Sequence, residues 1–277
     1  MRLTILGGGA AWPTARRACG GYLVEHDGYT LLIDPGFAVL PQLLALRPVA
    51  GIDAVLVSHG HLDHCADLPA VLGARLAGGA TTALPVLAPR GALVDLLRAA
   101  RSRAAVRSAA LDPLRDGDTR TLGPFSLEVG LLPHHVSNAG FRLRAGDHVL
   151  AYTGDSGECQ ERISLAKGAD LLLAEATFAT QVPAAERRFL SSAVQAAQLA
   201  LTAEVEHTIL THHLPAQRVE PWLAAAREEG LSSVLAASAG MSVDLDGERS
   251  PWARRAAEEV ARPRPLAVLP RRARDRP

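Results

Sequence analysis

Lysine is nearly absent from this 277-residue chain: Lys167 is the only one, so the basic side chains are almost all arginine. Cysteine is scarce as well. Cys19, Cys65 and Cys159 form no CxxC pair, and an odd count of three excludes a simple disulfide framework. That usage fits a reducing compartment, so a cytoplasmic location is expected. A charge excess of either sign is missing too. Twenty-nine basic and 29 acidic residues cancel, so no global field recruits nucleic acid or acidic lipid. No apolar run approaches the length of a membrane span. The opening MRLTILGGGAAWP has one early charge and a short apolar run, which reads as a strand and a loop rather than a signal peptide. What remains is 48% hydrophobic and 21% charged, the balance of a soluble globular protein with ample length to bury a core.

Strand-length apolar runs recur at 2–6, 21–26, 29–34, 54–58, 84–88, 125–131, 139–145, 148–155, 170–175, 207–212 and 233–237. His26-Asp27-Gly28 joins two of them as a hairpin. Alanine- and leucine-rich segments at 37–46, 63–77, 91–101, 158–167, 191–203 and 218–229 predict helices. Early hairpins followed by strand–helix alternation predict an α/β protein, with mixed sheets covered by helices. There is no internal repeat. From about 248 the chain turns Arg- and Pro-rich, which predicts one folded domain over 1–247 and a mobile basic tail over 248–277.

The densest chemistry lies in SHGHLDHCADLP, residues 58–69, with three histidines and two aspartates. It follows the apolar strand AVLV directly, and strand C-terminal ends are where α/β sheets place their chemistry. On extended backbone His59 and His61 point the same way, because side chains alternate with period two. A turn into a helix then aims Asp63 and His64 at a neighbouring position. Imidazoles with carboxylate suit zinc, and manganese and iron accept similar sets. A merely capped helix with solvent-exposed histidines does not account for four ligand types at this spacing.

His59-x-His61-x-Asp63-His64 resembles the signature of the metallo-β-lactamase superfamily, and further motifs follow in order up to about 245. The resemblance implies a four-layer αββα sandwich. It also implies that Asp34 in YTLLIDPG supports the ligand loop from behind. One ion would take His59, His61, His134 and Asp155, and a second Asp63, His64, Asp155 and His212, with a hydroxide between them. Counting back from Arg142 selects His134 over His135, and counting to Pro215 selects His212 over His213. His135 and His213 then stand as supporting or substrate-facing residues.

Other chemistries fit less well. GGGAAWP at 7–13 lacks the third glycine of a dinucleotide loop and has Pro13 where the helix should begin, so it reads as rim of the metal site with Trp12 near the cleft mouth. Cys65 reads as packing beside the ligands, and Asp112, Asp116 and Asp118 as turn formers.

The order GxxxxWP, SHxHxDHxxDLP, AYTGDS, AEATF and LTHxLP is similar to the ribonuclease Z-like branch, closest to small phosphodiesterases that open cyclic nucleotides or cyclic phosphates. AEATF at 174–178 is similar to that branch's HEAT box, with Ala174 in place of histidine and Glu175 kept as a catalytic candidate beside Asp63. Leu190 stands where the branch has a phosphate-reaching histidine, so either His135 or His213 would supply the proton or the leaving group needs little help. His134 and Asp155 are separated by a single hairpin, with no room for the long arm of short-type ribonuclease Z. The resemblance thus implies a small-molecule phosphodiesterase rather than a nuclease on polymers. Hydrolysis of a thioester, lactone or amide is the second reading, and a non-catalytic metal-binding protein the third. A homodimer is compatible with the sequence.

Overall fold

A computed structural model describes residues 1–214 and 218–245; the Arg/Pro-rich segment 248–277 and its boundary at 247 lie outside the described residues. The first half supplies β1 (Arg2–Gly7), β2 (Gly21–His26), β3 (Tyr29–Ile33), β4 (Ala54–Leu56), β5 (Leu84–Pro89) and β6 (Ala109–Leu114). Between them lie α1 (Val39–Leu46), α2 (Leu62–Cys65), α3 (Leu68–Ala77), α4 (Val94–Ala99) and α5 (Arg103–Arg107). The second half supplies β7 (Thr119–Leu122), β8 (Phe125–Leu132), β9 (Asn138–Ala145), β10 (His148–Tyr152), β11 (Leu171–Glu175), β12 (His207–Thr211) and β13 (Val234–Ala236). Its helices are α6 (Gln160–Ala166), α7 (Ala193–Thr202) and α8 (Glu220–Glu228), and β14 (Ser242–Asp244) follows.

The strands form two seven-stranded sheets, ordered β14-β1-β2-β3-β4-β5-β6 and β13-β12-β11-β10-β9-β8-β7. Each is mixed: β1 to β3 pair antiparallel and β3 to β6 parallel, while β7 to β10 pair antiparallel and β10 to β13 parallel.

Period-two alternation explains the layering. Leu31 and Ile33 of β3 enter the core between the sheets, where they join Ile5, Tyr22, Phe125, Phe141, Leu171 and Ile209. Leu32, one residue out of phase, packs outward with Leu43, Val71, Leu72 and Leu97 of the first helical layer. Leu172 and Leu210 do the same on the second sheet, against Ala193, Ala197 and Trp222. Strands buried on both faces read as continuous apolar runs, which is why LLLAE carries no alternation. The four-layer αββα sandwich expected from the sequence is the architecture found.

Local readings held in part. Asp27 at φ 45° and Gly28 at φ 78° make the tight hairpin, with the positive-φ pair that such turns require. The single helix expected over 63–77 is broken into α2 and α3. Asp67 sits at the break, its carboxylate accepting the Leu40 N–H at 2.8 Å and its own N–H donating to the Pro35 carbonyl at 2.9 Å. Pro69 then opens α3 at a position that needs no N–H donor. Asp112 is not a turn residue: it lies in β6 opposite Leu87 and accepts from Arg120. Asp116 and Asp118 do shape the following turn, accepting the N–H groups of Leu131 and Arg115.

Candidate metal centre

β4 delivers Ser58 and His59 into the interior, both fully buried. Gly60 lets the chain pass the Ala92 carbonyl, where any Cβ would lie 2.4 Å from that oxygen. His61 keeps extended backbone at φ −69°, ψ 144°, and α2 begins at the next residue. The extended stretch therefore carries His59 and His61 to one side, and the helical turn swings Asp63 and His64 beside them. Gly36 is needed for the same reason from below, since a Cβ there would lie 1.9 Å from the Asp63 carbonyl. From the second half, His134 follows β8, Asp155 follows β10 and His212 follows β12.

The structure brings the seven residues together. His59, His61 and His134 form one group, Asp63, His64 and His212 another, and Asp155 joins His59 and His64; within each group the donor atoms lie within 4.8 Å of one another. The Nε2 atoms of His59 and His134 each lie 3.1 Å from His61 Nδ1. Asp155 Oδ2 sits between the groups, 3.8 Å from His59 Nε2, 3.9 Å from His134 Nε2, 3.4 Å from His64 Nε2 and 3.0 Å from His212 Nε2. Asp63 Oδ2 is 3.3 Å from His212 Nε2 and 3.7 Å from His64 Nε2. Two donors bound to one ion at zinc distances and a tetrahedral angle are about 3.3–3.4 Å apart, so these spacings fit such a group. His64 Nε2 and Asp155 Oδ1 are buried with no hydrogen-bond partner, as atoms awaiting an ion would be.

Ring orientation is set from behind. The Ser58 hydroxyl donates to Asp34 Oδ2 at 2.6 Å and so accepts from His59 Nδ1 at 3.0 Å. His64 Nδ1 donates to Asp34 Oδ2 at 2.8 Å, and His134 Nδ1 to the Phe189 carbonyl at 2.8 Å. The Thr177 hydroxyl donates to Glu175 Oε1 at 2.6 Å and accepts from His212 Nδ1 at 2.8 Å. In each of these four histidines the Nδ1 proton is tied to an acceptor, which leaves Nε2 facing the centre. His61 presents Nδ1 instead. Backbone strain collects at the same place: Asp34, His212 and Ala11 hold φ of 48°, 62° and 60°, costly for residues with a Cβ and typical of functional sites.

Burial lowers His59, His61 and His134, which keeps them neutral and available as ligands. Burial alone would lower His212 too, but Asp155 and Asp63 outweigh it and push His212 up to about 10. Without ions, then, the second group is held together as ion pairs. A histidine raised in the folded state stabilises fully below its ordinary value of about 6.5 and loses that contribution as pH rises through its folded value. The metal-free protein is accordingly expected to lose melting temperature between pH 6.5 and about 10, and more than the metal-loaded protein does. Scanning calorimetry of both forms checks this, and parallel pH profiles would contradict it.

The remaining site candidates divide. His135 lies at the edge of the cluster, its ring 4.9 Å from that of His134 and 6.4 Å from that of His61, with Nε2 3.0 Å from Glu186. Glu175 is not poised for catalysis: it is fully buried, and its oxygens accept from Thr177 and from the Ser191 N–H. It positions His212 through Thr177. His213 is also removed from the cluster. Its ring packs edge-on against Trp222, and burial pushes it down to about 4. Successive residues leaving β12 cannot both face the centre, and His212 takes that place. Sequence reasoning missed Thr177, Ser58, the Phe189 carbonyl and the Ala11 N–H, which donates to Asp63 Oδ2 at 2.7 Å. Thr177 alone carried a signal, as the last polar residue of AEATF.

Comparison with known proteins identifies the family of the chain. The profile of the β-lactamase superfamily domain matches residues 29–213. The probable metallo-hydrolase YhfI of Bacillus subtilis is 30% identical over 217 positions, covering 76% of this chain and 86% of the relative. Ribonuclease Z of Thermobifida fusca is 29% identical and needs 268 positions to cover the same 76% of this chain and 83% of its own, so it carries segments this chain lacks. The crystal structure of YhfI superposes with a TM-score of 0.79 at 26% identity, covering 87% of this chain and 97% of that one. A diphosphatase of the PhnP family shares the fold, with a TM-score of 0.68 at 20% identity over 88% of this chain and 98% of that one. With its motifs, fold and ligand cluster all in agreement, this chain belongs to the metallo-β-lactamase superfamily, close to YhfI and the ribonuclease Z enzymes, and is a metal-dependent hydrolase.

Proposed function

We propose that the protein is a dinuclear phosphodiesterase acting on a small anionic substrate, a cyclic nucleotide or cyclic phosphate. The observation that carries this reading is Asp155 Oδ2, which stands within 3.9 Å of four histidine nitrogens drawn from both ligand groups. One carboxylate shared by two sets calls for two adjacent cations. His59, His61, His134 and Asp155 would hold one, and Asp63, His64, Asp155 and His212 the other. The imidazole and carboxylate donors suit zinc. Bound there, a pair of divalent cations activates water at neutral pH and neutralises charge developing on a phosphoryl group.

The chain's own groups do the rest. Asp63 is fixed by the Ala11 N–H and its pKa is lowered by His212 and His64 against the opposing effect of burial, so it stays ionised. Its carboxylate can therefore orient the attacking water as well as hold a cation. Leu190 is half-buried and offers no proton. His135 lies beside His134 with its ring partly exposed and its Nε2 3.0 Å from Glu186, which supports a role in protonating the leaving oxygen. Only the β9–β10 hairpin separates His134 from Asp155, which favours a small substrate over a polymer held by an arm.

The test is a substrate panel of bis-p-nitrophenyl phosphate, a cyclic nucleotide and an acyl thioester, run on protein whose metal content is measured. Turnover of the phosphodiesters with two metals per chain is expected. Turnover of the thioester alone would overturn the reading in favour of carbonyl hydrolysis, which needs no group at Leu190.

A further inference from the structure

Tryptophan is usually hidden by folding, yet Trp12 is 61% exposed. The loop that carries it is tightly built. Thr14 N–H donates to the Arg17 carbonyl at 2.9 Å, the Thr14 hydroxyl accepts the Arg17 N–H at 3.0 Å, and Ala10 N–H donates to the His213 carbonyl at 3.0 Å. At its tip the Trp12 N–H bonds the Ala10 carbonyl at 2.7 Å around Ala11 at φ 60°. This is a three-residue turn of the rare, strained positive-φ kind. The strained residue is the one whose N–H grips Asp63, so the position of the indole is coupled to the metal centre by a single residue.

Two other exposed large hydrophobics adjoin candidate site residues in the chain. Leu62, 50% exposed, lies between His61 and Asp63, and Val136, 40% exposed, follows His135. Arginines lie on two of the nearby chain segments. Arg16 and Arg17 are exposed on the Trp12 loop, and Arg188 stacks 5.9 Å over Phe189, whose carbonyl holds His134. An indole one residue from the N–H that holds Asp63, on a loop that also exposes Arg16 and Arg17, matches a planar aromatic group joined to an anion.

We infer that Trp12 is a stacking platform for the nucleobase of a nucleotide-like substrate whose phosphate reaches the metal centre. The inference rests on the phosphodiester reading and names the part of the substrate that lies outside the reacting group. Stacking a base on an aromatic side chain is worth roughly tenfold or more in affinity. In equilibrium dialysis with metal-loaded, full-length protein, AMP is expected to bind about tenfold tighter than ribose 5-phosphate. Trp12→Ala loses that preference, and Trp12→Phe, which keeps a π-face, retains most of it. Trp12 is exposed, so circular dichroism of the variants should match the wild type. A wild type with no preference, a preference unchanged in Trp12→Ala or lost equally in Trp12→Phe, or a dimer that Trp12→Ala dissolves would each overturn the inference. The phosphodiester reading stands or falls separately, on the substrate panel.

Discussion

Asp155→Ala is expected to lower kcat/KM by about 10³-fold or more, on the scale of losing a preorganised charge at a reacting centre. Asp155 Oδ2 is the atom common to both ligand groups, so its removal damages both at once. The damage is electrostatic as well as geometric. Asp155 heads the favourable charge interactions that push His64 and His212 up against the cost of burying them. Without it those rings lose their counter-charge, and an incoming cation loses a negative ligand. Metal analysis should then show fewer than two ions per chain together with the loss of turnover. A variant that keeps both metals and turns over within tenfold of the wild type would remove Asp155 from the centre.

Asp34→Ala should have the largest effect on stability. This carboxylate is fully buried and accepts from the Ser58 N–H at 2.7 Å, the Ser58 hydroxyl at 2.6 Å, His64 Nδ1 at 2.8 Å and the Tyr152 hydroxyl at 2.7 Å. A buried donor left unsatisfied costs about 1–3 kcal/mol, and the four orphaned here put the loss at about 4 kcal/mol or more, among the largest single-site effects. His64 loses its orienting acceptor directly, and His59 loses it through Ser58, so metal affinity should also fall about 10–100-fold. Urea denaturation of the metal-free variant measures the first effect and competition with a chelator the second. A stability change under about 1 kcal/mol would show that the site relaxes around the missing carboxylate.

The residues differ in how plainly the sequence announces their roles, and the reason is distance along the chain. Strands such as 21–26 and 29–33 are legible because burial on one or both faces writes itself into local composition. The same holds for SHGHLDH, where strand end, extended pair and helical turn are all local events. β6 was missed because AALDPL mixes alanine, aspartate and proline at a sheet edge, where exposure removes the apolar signal. β14 was missed because three residues carry no period. The α2–α3 break depends on Asp67 reaching Leu40, 27 residues away. Within the centre, the Phe189 carbonyl that turns His134 is 55 residues distant and belongs to the backbone, which no side-chain motif can encode. Glu175 looked catalytic because its motif resembles one in related enzymes, but only the fold shows that Thr177 stands between it and the centre.

The two halves of the chain contribute to the centre unequally in time. A nascent chain completes SHGHLDH long before it reaches Asp155 and His212. Without the second sheet, the early histidines are half of two incomplete ligand groups. The full ligand set therefore exists only with both halves together, where Tyr152 donates to Asp34 across the seam between the sheets.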